Sequence, residues 1–251
     1  AVMLGMNKIV VNTLAATSSR NFLTLVTSIT TCLQVFLSRI AEDFIIWSTP
    51  EFSYIIPHKH HLATSSIMPH KKNPVTMEII RAKSGESIGN LTSLLSIIKG
   101  LPSGYNLDLQ EATRYAWKVL KNAIESVTVL TDFTIKMKVN TDKMRMDTEK
   151  YMTLTTDLAE LISVEHGIPY REAHELVAEA VKQSRSFNEV LEHISTKLGM
   201  KVNMPTEVYE VLKMKKVQGS PSEIHVKMMI EQSSIRLKED AKWFKEKFTS
   251  T

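Results

Sequence analysis

The sequence predicts an all-α protein: a bundle of long helices followed by a smaller helical domain. Three features carry that expectation. Apolar residues recur three and four apart over three stretches of roughly 25 to 30 residues, the spacing of one helix face. The 8 glycines and 8 prolines are too few to punctuate a β-meander of this length. Past Asn140 the periodic segments become shorter and are separated by turn residues.

The first long seam runs through Phe22, Val26, Ile29, Leu33, Phe36 and Ile40, with Trp47 beyond, a heptad-like repeat. Ser19 or Asn21 suits its N-cap, and Ser48-Thr49-Pro50 stops it because the residue before proline resists the helical region. A second seam passes through Met77, Ile80, Ser84, Ile88, Leu91, Leu95 and Ile98. Gly85 and Gly89, four apart, would admit a neighbouring helix closely, and Gly100 and Pro102 end the segment. The third seam, Trp117, Leu120, Ile124, Val127, Leu130, Phe133 and Met137, continues to about Lys138. Helices this long reach about 40 Å at 1.5 Å per residue, more than a lone chain of this size buries. Phe44-Ile45-Ile46-Trp47 also carries apolar surface beyond one stripe. A bundle completed by other subunits is therefore expected.

After Asn140-Thr141-Asp142 shorter helices are expected over Thr155 to Glu165, Tyr170 to Ser184, Phe187 to Leu198, Thr206 to Lys213 and Glu223 to Lys247. Ser220 or Ser222 would cap the last. This divides the chain into a central helical-bundle domain, 1–140, and a C-terminal helical domain, 141–251.

Composition narrows the function classes. The net charge of +4 and pI near 9.0 come from Lys and Arg scattered among nearly as many acids, with no basic block to suit nucleic acid. The longest apolar region is broken by Arg39, Glu42 and Asp43, so no membrane span is expected, and the start, AVMLGMNKIVVNTL, lacks a basic leader region. The lone Cys32 excludes an internal disulfide and reads as a small buried hydrophobe in a reducing compartment. A cytoplasmic location follows as the expectation. His58-Lys59-His60-His61 invites a metal reading, but with no Cys or paired carboxylate nearby it reads as an exposed loop. No metal and no cofactor are expected.

The stretch TSSIMPHKKNPVTMEII, Thr64 to Ile80, sets two serines, a histidine, two lysines and an asparagine directly before an apolar helical pattern. Asn73 suits an N-cap and Pro74 the first helical position. A helix start with Lys71 and Lys72 beside it favours a bound carboxylate or a developing oxyanion. Ser65 and Ser66 belong to the same short loop, and Glu78 lies one turn into the helix, where an acid suits the dipole or orients a histidine. The same residues also suit a solvated turn with ordinary capping, and composition does not separate the two.

Thr64 to Pro74 resembles the aspartase/fumarase superfamily signature G-S-S-x-M-P-x-K-x-N-P, with Thr64 in place of the first glycine. Lys72, the continuation Glu78 to Gly85, and Lys99-Gly100-Leu101-Pro102-Ser103-Gly104-Tyr105-Asn106-Leu107-Asp108-Leu109-Gln110-Glu111 are similar to argininosuccinate lyases. Trp47-Ser48-Thr49-Pro50-Glu51-Phe52 and Pro169-Tyr170-Arg171-Glu172-Ala173-His174 extend the likeness along the chain. Asn12 to Phe22 is similar to the family's N-S-x-D-A-V-S-D-R-D-F but lacks three acids while keeping Asn12, Ser18 and Arg20.

The resemblance implies a long-helix bundle of the fumarase/aspartase type, assembled as a homotetramer with shared sites. It implies β-elimination of argininosuccinate to arginine and fumarate, with no cofactor. By the motif, Ser65 is the general base, Lys71 and Asn73 stabilise the aci-carboxylate, and Glu78 holds a histidine that protonates the leaving nitrogen. Tyr105, Gln110, Ser66 and Arg20 would bind substrate. Thr113 stands where the family commonly has lysine, leaving Arg114 as the neighbouring cation. The implied N-terminal domain, with its T-H-x-Q histidine, is not recognisable in these residues, which are read as the central and C-terminal portions. Two rivals stay open: a catalytically silent helical assembly module, and a related lyase acting on adenylosuccinate.

Overall fold

A computed structural model describes residues 8–64, 67–68 and 72–248. The Cα packing separates two units, one ending at Thr141 and one starting at Asp142.

The first unit is built on three helices that pack on one another, α2 (Asn21–Trp47), α3 (Val75–Ile98) and α4 (Asp108–Lys136), preceded by the six-residue α1 (Thr13–Ser18). Neighbours run antiparallel. Arg81 near the start of α3 pairs with Glu42 near the end of α2. Lys83 reaches Glu125 of α4 at 2.8 Å, while Glu86, further along α3, meets Lys118, further back along α4, at 3.2 Å. At the end where α2 and α4 finish and α3 begins, Leu37, Ala41, Phe44, Met77, Ile80, Leu130 and Phe133 form an apolar core. Phe44 and Phe133 stack there with centroids 5.3 Å apart. Two short strands, β1 (Ile55–Ile56) and β4 (Lys138–Val139), pair antiparallel and tie the segment after α2 to the end of α4.

The apolar seam of α2 does not face this core. Phe22, Val26, Ile29, Leu33, Phe36 and Ile40 are all exposed, and the face turned to α3 and α4 carries Thr27, Thr31, Gln34, Leu37, Ala41 and Phe44. The helical period is as expected, and the side turned inward is the more polar one. Cys32 lies exposed beside that outer stripe, not buried. Among the described residues Gly85 and Gly89 have nothing packed against them, so they bring no described helix close. Contrary to the expectation from Arg39, Glu42 and Asp43, α2 is long and apolar enough to cross a membrane by length and composition. Its polar side packed inside the bundle does not suit lipid.

Midway along the bundle the contacts turn polar. Asn122, fully buried, accepts from Lys83 Nζ (3.0 Å) and donates to Glu86 Oε2 (2.9 Å). That hydrogen bond is the main cause holding the Glu86 carboxyl below the usual range, with Lys118 adding to it and burial opposing. Asn122→Ala is expected to destabilise the protein by about 1–2 kcal/mol, because its hydrogen bonds to the charged Lys83 and Glu86 are lost, while those two partners are open enough to be partly rehydrated. Urea unfolding checks this. A carboxyl with a depressed pKa stabilises the fold above its ordinary pKa and loses that contribution as pH falls through the folded value. The gap between wild type and variant should therefore narrow in acid below the ordinary Glu range.

Ser48 ends α2 as expected, and Gly100, at φ +73, follows the end of α3 in the left-handed conformation that glycine adopts most readily.

The second unit holds α5 (Thr141–Lys150), α6 (Thr155–His166), α7 (Tyr170–Gln183), α8 (Phe187–Leu198), α9 (Val208–Met214) and α10 (Glu223–Phe248). Its core gathers Leu158, Ile162, Ala173, Val177, Val190 and Ile194 from α6, α7 and α8. Ser186 caps α8 by accepting from Glu189 N–H, and Gly199 at φ +66 closes it. The helix α5 was not expected from the sequence. It buries only Asp147, so it shows no apolar stripe.

Candidate active site

The signature segment begins and ends in a two-stranded hairpin. β2 (Ala63–Thr64) pairs antiparallel with β3 (Lys72–Asn73), setting Ala63 opposite Asn73 and Thr64 opposite Lys72. The ladder thus joins the residues on either side of 65–71. Ser65, Ser66 and Lys71 lie outside the described residues. Thr64 sits in extended backbone within β2, a conformation in which a β-branched side chain is at ease, so no glycine is needed there.

Asn73 is not the cap of α3. Its backbone is held in the ladder with Ala63, and Pro74 occupies the N-cap, outside the helix, with no side-chain hydrogen bond. The Pro74 carbonyl instead accepts from Met77 N–H (2.9 Å) and Glu78 N–H (3.2 Å). Glu78 is exposed in the first turn of α3, where its charge complements the helix dipole. The stem therefore places Thr64, Lys72, Asn73 and Glu78 at one end of the bundle.

The other candidates gather elsewhere. Asn12 caps α1 through Oδ1, accepting from Ala15 N–H at 2.9 Å. Arg20 precedes α2 and donates from Nη1 to the carbonyls of Ser19 (3.0 Å) and Thr17 (3.3 Å). In the connection from α3 to α4, Asn106 Nδ2 braces the turn by donating to Pro102 O (3.1 Å) and Gly104 O (3.3 Å). A Cβ on Gly104 would meet Leu14 of α1 at 3.9 Å, which brings the Asn12–Arg20 segment alongside this turn. Gln110 Nε2 donates to Tyr105 Oη at 2.5 Å, and Tyr105 is half exposed. Arg114 is engaged locally, with Glu111 at 3.0 Å and the Tyr115 hydroxyl at 3.1 Å, and the Tyr115 and Glu111 contacts raise its pKa.

The candidates therefore form two groups. Glu78 starts α3, and Tyr105 with Gln110 follows its end at Ile98. The intervening helix is about 30 Å long at 1.5 Å per residue. One copy of this unit does not bring the two groups to one substrate. A cavity of about 930 Å³ in the second unit, lined by Asn188, Glu192, Ser195 and Lys201 among others, contains none of these residues.

Sequence reasoning missed one residue beside the hairpin. His61 ends the 3₁₀ turn Lys59–His61 and is buried, 4% exposed, where an exposed loop was expected. Its ring nitrogens lie 3.1 Å from Thr76 Oγ1 and 3.1 Å from Asp132 Oδ2. No local signal marks these partners, since Asp132 is far away in sequence. Among the described residues no group of three His, Cys, Asp or Glu is arranged to hold a metal ion.

Comparison with known proteins gives this arrangement a context. Residues 2–89 match a family described as lyase, and residues 152–217 match the argininosuccinate lyase C-terminal family. Argininosuccinate lyase of Pyrococcus furiosus is 40% identical over 238 residues, covering 95% of this chain and 51% of the relative. That of Methanosarcina mazei is 38% identical over 252 residues with the same coverage. The chain spans about half the length of these relatives. Among solved structures, an EDDS lyase in complex with formate superposes with a TM-score of 0.80 at 23% identity, over 97% of this chain and 52% of that one. A class II fumarase from Schistosoma mansoni gives 0.63 at 20% identity, over 77% and 39%. These structures share the helical fold.

Proposed function

Because the chain belongs to the argininosuccinate lyase family, we propose that it supplies elimination machinery to an enzyme that splits argininosuccinate into arginine and fumarate. The observation that carries this is the delivery of the signature segment, through a paired stem, onto the start of α3. Removing a proton beside a carboxylate makes a doubly charged aci-carboxylate, the costliest species on the path. An ammonium group and hydrogen-bond donors fixed in a site closed to water stabilise it best. Lys71 and Asn73 have that role and Ser65 takes the proton, its hydroxyl made basic by the surrounding positive charge. Glu78 orients the histidine that protonates the departing nitrogen. Tyr105, Gln110, Ser66 and Arg20 bind the substrate.

Since the two groups of residues stand at opposite ends of α3, the working site combines one end from one copy with the other end from another copy, in a homotetramer. The exposed stripe Phe22 to Ile40 on α2 supports this assembly, being a continuous apolar face on a helix already packed on its other side.

The direct test is fumarate release, followed by ultraviolet absorbance, from the full-length protein supplied with argininosuccinate and, separately, adenylosuccinate. Turnover of the first alone is expected. Turnover of adenylosuccinate alone would move the assignment to the related lyase. A second reading, a catalytically silent helical assembly module, draws on the half-length coverage of the relatives. Activity of the 251-residue chain alone would count against it.

A further inference from the structure

His61 is the one buried histidine among the described residues, and it touches two helices at once, α3 and α4. It stands two residues before β2 and four before Ser65. Nδ1 faces Thr76 Oγ1 in the first turn of α3, Nε2 faces Asp132 Oδ2 late in α4, and the ring meets Phe133 edge-on with centroids 5.1 Å apart. An ionised carboxylate only accepts, so Asp132 sets the Nε2–H tautomer and a neutral ring leaves Nδ1 to accept from the Thr76 hydroxyl. Asp132 is held in turn by Lys136 at 2.7 Å, which with His61 keeps its carboxyl below the usual range. His58, Lys59 and His60 share the turn with His61. A buried aromatic residue would fill the same space, but it would not bond two different helices through two nitrogens.

We propose that His61 is a positioning residue, clamping the stem of the Ala63–Thr64 and Lys72–Asn73 hairpin to α3 and α4 so that the signature segment is presented at a fixed place. Its kinetic consequence rests on the lyase reading; the clamp itself does not.

The test uses the full-length protein with His61→Phe, which keeps the ring packing and removes both hydrogen bonds, His61→Gln, which restores an N–H donor, and Thr76→Val, which removes one hydroxyl. Amide hydrogen exchange at residues 62–64 and 72–73 reads the clamp without substrate. His61→Phe should speed stem exchange about five- to tenfold relative to the rest of the bundle, the worth of one or two lost hydrogen bonds. Thr76→Val should do so to a smaller degree. Turnover with argininosuccinate should show kcat lowered about tenfold with KM within twofold in His61→Phe, since positioning is lost while the Tyr105 and Gln110 contacts stay. His61→Gln should recover part of it. Stem exchange at the wild-type rate in both His61→Phe and Thr76→Val overturns the clamp and leaves the lyase reading standing. Acceleration spread evenly over the whole bundle overturns it as well, since that is general destabilisation. If the wild-type protein releases no fumarate, the lyase reading fails and stem exchange alone decides the clamp.

Discussion

Ser65→Ala should lower fumarate release from argininosuccinate by about 10² to 10⁴-fold, the range spanned by a positioned general base. A serine hydroxyl is a feeble base in water and becomes a useful one only where nearby positive charge stabilises its anion and the aci-carboxylate that follows. Lys71→Met should therefore fall in the same range, and the double variant should lose little more than either single one, because the base and the cation act on one step. KM should change less than kcat in each, as the lost interaction belongs to the transition state. Neither substitution alters the Ala63–Asn73 or Thr64–Lys72 pairing residues, so thermal midpoint and assembled mass should match wild type. Wild-type turnover in Ser65→Ala would remove that residue from the role of base and leave the hairpin as scaffolding only.

Much of the fold is legible in the sequence, and the exceptions share a cause. The helix α8 follows from Ser186, its apolar spacing and Gly199, all of them local signals. The helix α5 was missed because it has almost no buried face. The stripe of α2 is legible as an apolar face, but periodicity does not say which partner covers it. Here Thr27, Thr31 and Gln34 turn inward against α3 and α4. Asn73 has the chemistry of a cap, but β pairing with Ala63 claims its backbone first. His61 was read as loop polarity because Thr76 and Asp132 meet it only through the tertiary fold. For the candidate site the motifs name the candidates, and the long second seam already separates Glu78 from Tyr105 and Gln110; the hydrogen bond between Gln110 and Tyr105 appears only in the fold.

That separation gives the proposed assembly a measurable consequence. Under the proposed roles, two variants, Ser65→Ala in the signature segment and Gln110→Ala in α4, should each be nearly inactive as pure proteins, the first lacking the proposed base and the second a proposed substrate contact. If each site took both groups from a single copy, mixing the variants would restore nothing, because every copy carries a lesion in every site it builds. If each site takes its two groups from different copies, co-refolded mixtures must contain sites whose two contributing ends are both intact. For random one-to-one assembly each end is intact half the time, so about a quarter of the sites should recover full function. Fumarate release at about a quarter of the wild-type rate, from two preparations that are each silent, is the expected measurement. The recovered fraction should depend on assembly: dilution that dissociates the oligomer should abolish it, and polar substitution on the outer face of α2, such as Phe36→Lys, should do the same. A mixture as inactive as its components, in assemblies shown by mass to contain both variants, would mean that one chain builds its whole site alone.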